Sequence, residues 1–311
     1  MLRELLTELT KDAPISVAEY VRLCLYHPQF GYYTSPRERV GERGDFYTAS
    51  TLKGAVFSRL LLKSAQKLCG GADSKIFDLV EIGAEPERSL FENSKVIRVG
   101  EEIKLSGNLF VFSNELLDAQ PFDRFKFENG KILKTFVRFD SAGGHEISYQ
   151  EVDEKERVHL EKYFEFNHKI FYLDFSFAAL ELLKNICSQD WCGALVFADY
   201  FRTRAELSDF HKGTARTYKN HKAYADIFEN PGEEDITFSP PFEDFLEILN
   251  QYGFTNCMCE TQANFFFNNA QEEIKNIIET RSLLSPEKRA LSEILSPTYF
   301  GELFRVIAAC R

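Results

Sequence analysis

The sequence has few of the features by which proteins bind nucleic acids or membranes. Its 37 Lys and Arg are outnumbered by 48 Asp and Glu, which gives the 311-residue chain a formal net charge of −11, and no five basic residues follow one another. Nucleic acids and anionic lipid surfaces are bound by clustered Lys and Arg, so we expect no nucleic-acid partner. No apolar run approaches the roughly 18 residues that cross a bilayer, which predicts no membrane insertion.

Patterns typical of disulfide frameworks and metal sites are also missing. The seven Cys form no CxxC motif, and the six His form no HxH or HExxH motif. Cys257 and Cys259 would lie on one face of a strand, which is poor geometry for zinc. We therefore predict no metal site, and reduced thiols as in a cytoplasmic protein. The first 16 residues contain acidic side chains and no long apolar segment, so no targeting sequence is expected there.

Glycine is scarce in the segment 79–90, "LVEIGAEPERSL", where its pattern would matter most. The segment begins with an apolar strand, Glu81 and Gly83, like the turn on which a nucleotide cofactor lies in many α/β proteins. That turn needs further glycines, because the cofactor approaches bare backbone there. Instead the chain continues with Ala-Glu-Pro-Glu-Arg. Carboxylates and a proline at this place disfavour an anionic cofactor.

The remaining sequence alternates predicted strands and helices, which is typical of an α/β fold with a mainly parallel sheet. Buried strands are predicted at "KIFDLVEIG", "KVIRVG", "NLFVFSNELLDA" and "GALVFADYF". Later helices are predicted at "LKGAVFSRLLLKSAQKL", "FAALELLKNIC", "FEDFLEILNQYGF" and "NAQEEIKNIIETRSLL". Residues 1–30 read as two helices with Ser16 and Glu19 as a capping box, and 125–151 as a hairpin around "ENG". The closing "YFGELFRVIAAC" is predicted to be an edge strand.

The absence of repeats and low-complexity linkers predicts one domain over residues 1–311. Its parts are expected in a fixed order along the chain. They are a helical amino-terminal and lid region (1–70), a core sheet (75–201), a polar lid loop (202–240), and carboxyl-terminal helices with an edge strand (241–311).

Eight segments in order together resemble one known family. They are "APISVAEYVRLCLYHPQFGYY", "GDFYTAS", "LVEIGA", "NELLDAQPF", "LVFADYF", "GTARTYKNH", "PGEEDIT" and "SPTYFGELFRVI". They look like the MidA family, whose mitochondrial member is an arginine methyltransferase that assists assembly of respiratory complex I. The resemblance implies a class I, Rossmann-like methyltransferase fold, S-adenosylmethionine (SAM) as cofactor, and a protein arginine as acceptor.

The segment "SNELLDA" is the most informative for the acceptor. It ends a predicted strand, where open α/β sheets place their ligands. A guanidinium needs a carboxylate that pairs with two N–H groups, which makes Glu115 the candidate catalytic residue, with Asn114 and Asp118 beside it. Asp45 in "GDFYT" is a second candidate carboxylate. The alternatives are that Asn114 caps a turn, that Glu115 is solvated, and that Asp45 lies in an ordinary turn.

The resemblance also implies cofactor and lid residues. The implied cofactor contacts are Glu81, Gly83, Gly44 and Thr48. Tyr218 and His221 resemble the family's lid segment, although a solvated loop histidine is an equal alternative. Asp199 ends a buried strand where the family has Asp-Tyr-Gly, and Phe201 here replaces that glycine. Asp199 is therefore predicted to be either a structural turn residue or a functional group.

The spacing along the chain predicts that part of the cofactor-binding half is deleted. Asn114 follows Gly83 by only 31 positions (114 − 83), whereas a single strand–helix–strand unit takes roughly 30 or more. In the favoured alignment the first helix, the second strand and its helix are missing. In the rival alignment "KVIRVGEE" is the second strand, with Glu101 or Glu102 binding the ribose.

Two functions follow from these patterns. One is a SAM-dependent protein arginine methyltransferase with a divergent, shortened cofactor turn. The other, which the missing glycines favour, is a pseudoenzyme that recognises a protein partner with an exposed arginine and binds SAM weakly or not at all.

Overall fold

A computed structural model describes residues 1–35, 49–70, 78–84, 89–165, 171–219, 222–282 and 284–311. Some residues singled out from the sequence lie outside these ranges, and their predicted roles stay predictions. They are Gly44, Asp45, Thr48, Glu85, Pro86, Glu87 and His221.

The described ranges contain ten α-helices and one short 3-10 helix, Glu161–Glu165. The α-helices are α1 (Leu2–Leu9), α2 (Val17–Tyr26), α3 (Ala49–Leu68), α4 (Glu154–Leu160), α5 (Phe177–Cys187), α6 (Arg204–Ser208), α7 (Phe242–Gln251), α8 (Gln262–Asn269), α9 (Gln271–Thr280) and α10 (Pro286–Leu295). The predicted helices are confirmed. The Ser16 hydroxyl accepts the N–H of Glu19 at 3.2 Å, as predicted for the start of α2. Among the described residues, no helix has the length and apolar character that a bilayer crossing needs.

The same ranges contain fourteen strands. They are β1 (Ile15–Ser16), β2 (Asp78–Ile82), β3 (Lys95–Ile97), β4 (Gly107–Asn114), β5 (Asp123–Glu128), β6 (Lys131–Phe139), β7 (His145–Glu151), β8 (Phe171–Phe175), β9 (Trp191–Asp199), β10 (Arg216–Lys219), β11 (Lys222–Tyr224), β12 (Asp235–Thr237), β13 (Thr255–Thr261) and β14 (Arg305–Cys310).

The central sheet has six strands in the order β13-β14-β9-β4-β2-β3. Strands β9, β4, β2 and β3 are parallel, and β14 is antiparallel to both of its neighbours. This is the mixed α/β sheet expected from the sequence. Within the described residues the sheet ends at β3, one strand short of the seven in a complete sheet of the resembled fold. The predicted depletion on this side is therefore confirmed.

The second strand of the rival alignment is confirmed, and the favoured alignment, which deletes that strand, is wrong, while ribose binding by Glu101 or Glu102 stays a prediction. Strand β3 pairs in parallel with β2, with Val80 opposite Lys95 and Ile82 opposite Ile97, so "KVI" is the second strand. The short connection between β2 and β3 packs an aromatic ring on the sheet. The Phe91 ring packs 5.7 Å from those of Phe110 and Phe112 on β4. In the described part of the connection, 89–94, no helix is present.

Two other expectations about the carboxyl-terminal half are wrong. Strand β14 is internal, between β13 and β9. Its residues 306–310 are all buried, and such an unbroken apolar strand suits the middle of a sheet. The region 202–240 is not a loop, since it contains α6 and a small antiparallel sheet in the order β11-β10-β12. The capping box that starts α6, formed by Thr203 and Glu206, was readable in the sequence.

The predicted hairpin is confirmed as β5 and β6, within an antiparallel sheet of β1, β6, β5 and β8 to which β7 is added. Its turn uses Asn129 and Gly130 with φ of +51° and +75°, the left-handed pair that such a tight hairpin turn requires. This sheet packs with α1 and α2 around a separate apolar cluster that includes Tyr20 and Phe139.

Each face of the central sheet is covered by its own apolar core. One core includes residues of α5 and α7, with Leu195 and Phe197 pointing into it from β9. The other includes residues of α3, α8, α9 and α10, with Ala194 and Val196 pointing into it. Because side chains alternate along β9, the strand is apolar throughout, as predicted for a parallel strand buried on both faces. The last residue of β9, Asp199, is the polar residue that the strand brings to the carboxyl edge of the sheet.

Candidate functional site

The candidate site begins where β4 and β9 end. Asn114 is the last residue of β4, and Asp199 is the last residue of β9. Glu115 follows with a φ of +52°, in the left-handed region. This conformation costs a non-glycine residue about 1–2 kcal/mol, so it persists only where the surroundings impose it. Here the Glu115 N–H donates to the carbonyl of Ala198 at 3.0 Å, which fixes the turn against β9.

Asp199 holds the turn that follows Glu115. Its carboxylate accepts the N–H groups of Leu117 at 2.9 Å, Asp118 at 3.3 Å and Tyr200 at 2.8 Å. Burial and then the charge of Asp118 raise the pKa of Asp199 well above its ordinary value. Of the two roles left open by the sequence, these contacts favour the structural turn residue.

The Glu115 side chain lies at the centre of the site. Its carboxylate accepts the Asn114 side-chain amide at 2.7 Å and the Tyr200 hydroxyl at 3.3 Å. Burial raises the pKa of Glu115 well above its ordinary value, and the charges of Asp118 and Asp199 raise it further. Glu115 is therefore half-buried and held by Asn114 and Tyr200 rather than freely solvated, and a nearby cation would favour its ionised form.

Asp118 is buried beside Glu115, and only one of its two carboxylate oxygens has a hydrogen-bond partner among the described residues. Its Oδ2 accepts the Thr237 hydroxyl at 2.5 Å. Its Oδ1 is buried and has no hydrogen-bond partner among the described residues, and the same holds for Oδ1 of Asn114. Burial raises the pKa of Asp118 to about 6, against the lowering effects of Thr237 and Arg216. Unpaired buried acceptors cost free energy, so this place favours a ligand that brings N–H donors.

Arg216, on β10, supplies positive charge on one side of the site. Its guanidinium lies 4.9 Å from the ring centre of Tyr200 and 5.4 Å from that of Tyr218. Its Nε donates to the Tyr218 hydroxyl at 2.9 Å, and Nη1 donates to the carbonyl of Thr214 at 3.2 Å. The predicted lid residue Tyr218 therefore contacts Arg216 directly. Sequence reasoning missed Arg216, although it stands in the quoted segment "RTY".

Two tyrosines also donate hydrogen bonds at the site. Tyr26 is the last residue of α2, and Tyr33 lies in the segment that follows. The Tyr26 hydroxyl donates to the carbonyl of Ala119 at 2.9 Å, and the Tyr33 hydroxyl donates to Oδ1 of the buried Asp235 at 2.9 Å. Burial and then the charge of Asp235 raise the pKa of both phenols, so they remain protonated donors.

Four carboxyl groups of the site form what we call the acceptor cluster, defined as Glu115, Asp118, Asp199 and Asp235. Asp118, Asp199 and Asp235 each raise the pKa of Glu115 through their charge, which places the four carboxyl groups within one electrostatic neighbourhood. Such a cluster selects cations over anions. In the part of the chain that is described, no group of three or more His, Cys, Asp or Glu has an arrangement that could hold a metal ion.

The other end of the same edge, at β2 and β3, has its groups already engaged. Gly83 has a φ of +82°, and a Cβ built on it would lie 2.8 Å from Cδ1 of Leu116. Glu81 accepts the N–H of Leu90 at 2.9 Å and the Ser89 hydroxyl at 3.1 Å. Burial raises the pKa of Glu81. Of the four residues predicted to contact the cofactor, the two that are described, Glu81 and Gly83, therefore serve contacts within the chain.

The acids proposed for the ribose in the rival alignment are also engaged. The Glu101 carboxylate accepts the N–H of Arg98 at 2.7 Å, directly after β3. Glu102 pairs with Lys104 at 2.8 Å, and both side chains are exposed. Among the described residues, Leu116 therefore lies over Gly83, and Glu101 and Glu102 each have a partner within the chain.

The fold and the acceptor cluster define a methyltransferase-like α/β protein. Residues 98–258 match the family model described as "Putative S-adenosyl-L-methionine-dependent methyltransferase". This match covers more than half of the chain, so the protein belongs to that family.

The curated relatives are protein arginine methyltransferases. The human mitochondrial protein arginine methyltransferase NDUFAF7 is 37% identical over 84 residues, which are 27% of this chain and 19% of that protein. The mitochondrial homologue from Drosophila melanogaster is 32% identical over 125 residues, which are 39% of this chain and 26% of that protein. The chain thus matches about a fifth to a quarter of the length of these relatives. The predicted cytoplasmic localisation stays a prediction.

Solved structures share the fold over the whole chain. A protein from Burkholderia thailandensis bound to S-adenosyl-homocysteine superposes with a TM-score of 0.83 and 21% identity, covering 100% of this chain and 92% of that one. A native structure of a protein from the same organism gives a TM-score of 0.78 with the same identity and coverage. These likenesses establish the class I methyltransferase fold.

Proposed function

We propose that the protein recognises an arginine side chain of a protein partner at the acceptor cluster, and that SAM binds only weakly. The observation that carries the proposal is the pair of buried, unpartnered acceptors, Oδ1 of Asn114 and Oδ1 of Asp118, beside the Glu115 carboxylate. A guanidinium offers five N–H donors in a planar fork and one fixed positive charge. The donors suit the two unpartnered oxygens, and the charge suits the Glu115 carboxylate.

Charge balance supports a guanidinium over a neutral group. Glu115 and Asp118 both have raised pKa values because they are buried near other carboxyl groups. An incoming cation stabilises their ionised forms, so its binding releases a proton wherever one of these groups is protonated in the free protein. A neutral ligand would bring no compensating charge to these carboxyl groups and would gain only ordinary hydrogen bonds.

Weak SAM binding is supported by the engaged groups on the other side of the site. Leu116 lies over Gly83, and Glu101 binds the N–H of Arg98. Amide hydrogen bonds are worth about 0.5–1.5 kcal/mol each, and bonds to a charged ribose acid about 1.5–3 kcal/mol. Losing about 3–4 kcal/mol in total would weaken the affinity two to three powers of ten.

An active protein arginine methyltransferase is the second candidate. The observation in its favour is that β3 is kept in parallel with β2, so the strand that precedes the ribose acid is present. In that case Glu115 would orient the acceptor guanidinium, and Leu116 would have to move from Gly83. A cofactor would supply only the methyl group, whereas the acceptor side is as described for the first candidate.

Peptide binding tests the acceptor half of the proposal. We expect a capped Gly-Arg-Gly peptide to bind in calorimetry, with the corresponding Lys peptide weaker because its ammonium cannot pair bidentately. Glu115→Gln should cost about 2–5 kcal/mol of binding free energy, or roughly thirtyfold or more in affinity. Glu272→Gln, at an exposed position on α9, is the matched control and should change little. Equal binding by wild type and Glu115→Gln would contradict the proposal.

Titration with SAM and with its demethylated product separates the two candidates. A cofactor that binds at micromolar concentration in an intact site is expected here near millimolar. A dissociation constant of a few micromolar for either compound would rule out the pseudoenzyme and favour the methyltransferase.

A further inference from the structure

A pair of thiols lies at the opposite end of the central sheet from the acceptor cluster. The Cys69 sulfur, just after α3, is 3.0 Å from the Cys310 sulfur on β14. Both thiols are free. Cys310 pairs with Ala194 near the start of β9, whereas Asp199 of the acceptor cluster ends that strand. The pair is therefore independent of the proposed function.

We propose that Cys69 and Cys310 are a modification site, which a low-molecular-weight disulfide converts into an intramolecular disulfide joining the end of α3 to the last strand of the central sheet.

The geometry requires only a small movement. Bonded disulfide sulfurs are about 2.05 Å apart, so the two atoms must approach by about 1 Å. Cys310 is held on both sides, opposite Ala194 in β9 and Thr255 in β13. Cys69 can adjust, because it follows the last residue of α3 and precedes Gly70. Gly70 has a φ of +94°, and nothing lies within 4 Å of the place where its Cβ would be.

An open cleft gives a reagent access to the pair. The cleft has a volume of about 580 Å³ and is lined by residues that include Lys67, Cys69, Asn108, Cys192, Cys310 and Arg311. Cys69 is partly exposed, whereas only 7% of Cys310 is exposed. Cys69 is therefore the sulfur that a reagent meets first, and Cys310 is the sulfur that resolves the intermediate.

The contact between the two sulfurs also affects their pKa values. The hydrogen bond with Cys310 lowers the pKa of the Cys69 thiol, with burial acting against it. The same contact raises the pKa of Cys310. Carbonyl groups at the end of α3 disfavour a thiolate there, so we expect a slow reaction rather than a rapid sensor.

The exchange proceeds in two balanced steps. The Cys69 thiolate attacks one sulfur of the reagent, the reagent's disulfide bond breaks, and one reagent thiolate leaves with the bonding pair. The Cys310 thiolate then attacks the Cys69 sulfur of this mixed disulfide, and the second reagent thiolate leaves. Two protein thiols are oxidised and one reagent disulfide is reduced to two thiols, with the two protons passing to the departing thiolates or to solvent.

Cys192 is the matched control within the same cleft. It is exposed, and its sulfur lies 3.9 Å from the side-chain oxygen of Asn108. No thiol lies within hydrogen-bonding distance of it among the described residues. Cys192 should therefore form a mixed disulfide that does not resolve.

The test is oxidation of the full-length protein by oxidised glutathione, followed by acid quenching, intact mass measurement and peptide mapping without reduction. We expect a linked Cys69–Cys310 peptide and a loss of two hydrogen masses. Cys192→Ser should remove a glutathione adduct but keep the linked peptide. Cys310→Ser should retain one glutathione on Cys69. Wild-type protein that keeps glutathione on Cys69, with Cys310 still free, would overturn the proposal.

Thermal unfolding supplies a second readout. The bond closes a separation of 241 residues, and a disulfide of this kind should raise the melting temperature by roughly 4–10 °C. Reductant should reverse the rise, and Cys310→Ser should not show it. An unchanged melting temperature in fully linked protein would contradict a bond between the end of α3 and β14, because such a bond restricts the unfolded chain.

Discussion

The two sides of the carboxyl edge of the central sheet differ in what their polar groups do. At β4 and β9, Oδ1 of Asn114 and Oδ1 of Asp118 are buried and have no partner among the described residues. At β2 and β3, the Glu81 and Glu101 carboxylates accept backbone N–H groups of their own chain, and Leu116 covers Gly83. The side at β4 and β9 thus has hydrogen-bond acceptors free for a ligand, whereas the acceptors at β2 and β3 are used by backbone N–H groups.

The contrast is one between polar groups that are already satisfied and polar groups that are not. Satisfied groups stabilise the free protein and gain nothing from a ligand, whereas unsatisfied groups cost stability that a ligand can restore. The acceptor side also retains strain, in the left-handed backbone of Glu115. Strained residues persist where the surroundings over-determine them, which is common at functional sites. The predictions below test whether the two sides differ in this way.

The largest expected effect is on the turn that presents Glu115. Asp199→Ala would leave the N–H groups of Leu117, Asp118 and Tyr200 without their acceptor. At about 1–3 kcal/mol for each unsatisfied group, partly relieved by water, we expect a loss of about 4 kcal/mol of unfolding free energy. Urea denaturation followed by circular dichroism measures this loss.

The conservative variant at the same position is the control. Asp199→Asn keeps one acceptor oxygen and should lose about half as much unfolding free energy. A loss below about 1 kcal/mol of unfolding free energy for Asp199→Ala would mean that other contacts hold the turn after Glu115. Asp199 would then not preorganise the side of the site at β4 and β9.

The sequence allowed the central strands and most helices to be predicted, because their apolar periodicity is strong. It also placed Asn114, Glu115 and Asp118 together, since adjacent residues after a strand must share one edge of the sheet. The position of β14 was not predictable in this way. A short apolar strand at the end of a chain fits an edge or an interior place equally well until its partners are known.

Other features depend on contacts between residues far apart in the chain. Oδ2 of Asp118 accepts the hydroxyl of Thr237, 119 positions later, and no pattern near either residue reveals this. The role of Leu116 over Gly83 likewise arises only when β2 and β4 pair. The spacing from Gly83 to Asn114 predicted that a strand was missing. The packing of Phe91 on Phe110 and Phe112 of β4, in the short connection before β3, could not be read from that spacing.

A smaller effect is expected on the cofactor side, from Gly83→Ala. The φ of +82° disfavours any side chain by about 1 kcal/mol. The new Cβ would also meet Cδ1 of Leu116 at 2.8 Å. We expect a total loss of about 2 kcal/mol of unfolding free energy, measured by urea denaturation.

A double-mutant cycle separates the two causes. In a Leu116→Ala background the clash is absent, so Gly83→Ala should cost only the backbone part, about 1 kcal/mol. The difference of about 1 kcal/mol is the coupling between the two positions. Equal costs in both backgrounds would mean that Leu116 does not cover Gly83 in solution, and the cofactor side would be open.

The smallest effect is the pH dependence of binding on the acceptor side. A guanidinium stays charged at all accessible pH values, so its binding requires an ionised Asp118, whose pKa burial raises to about 6. As the pH falls below about 6, Asp118 takes up a proton and affinity for the capped arginine peptide should fall up to tenfold per pH unit, about 1.4 kcal/mol. Calorimetric titrations between pH 5 and about 8 measure this slope.

The sign of this dependence can be tested through Arg216, whose charge lowers the pKa of Asp118. Arg216→Gln removes that charge, so the pKa of Asp118 should rise and the fall in affinity should begin at a higher pH. At pH 8, where Asp118 is ionised in both proteins, the variant should bind the arginine peptide at least as well as the wild type, because a competing cation beside the site is gone. A midpoint that stays the same or moves to lower pH would show that Arg216 does not act on Asp118. The unpartnered Oδ1 of Asp118 would then not explain how the side at β4 and β9 differs from the side at β2 and β3.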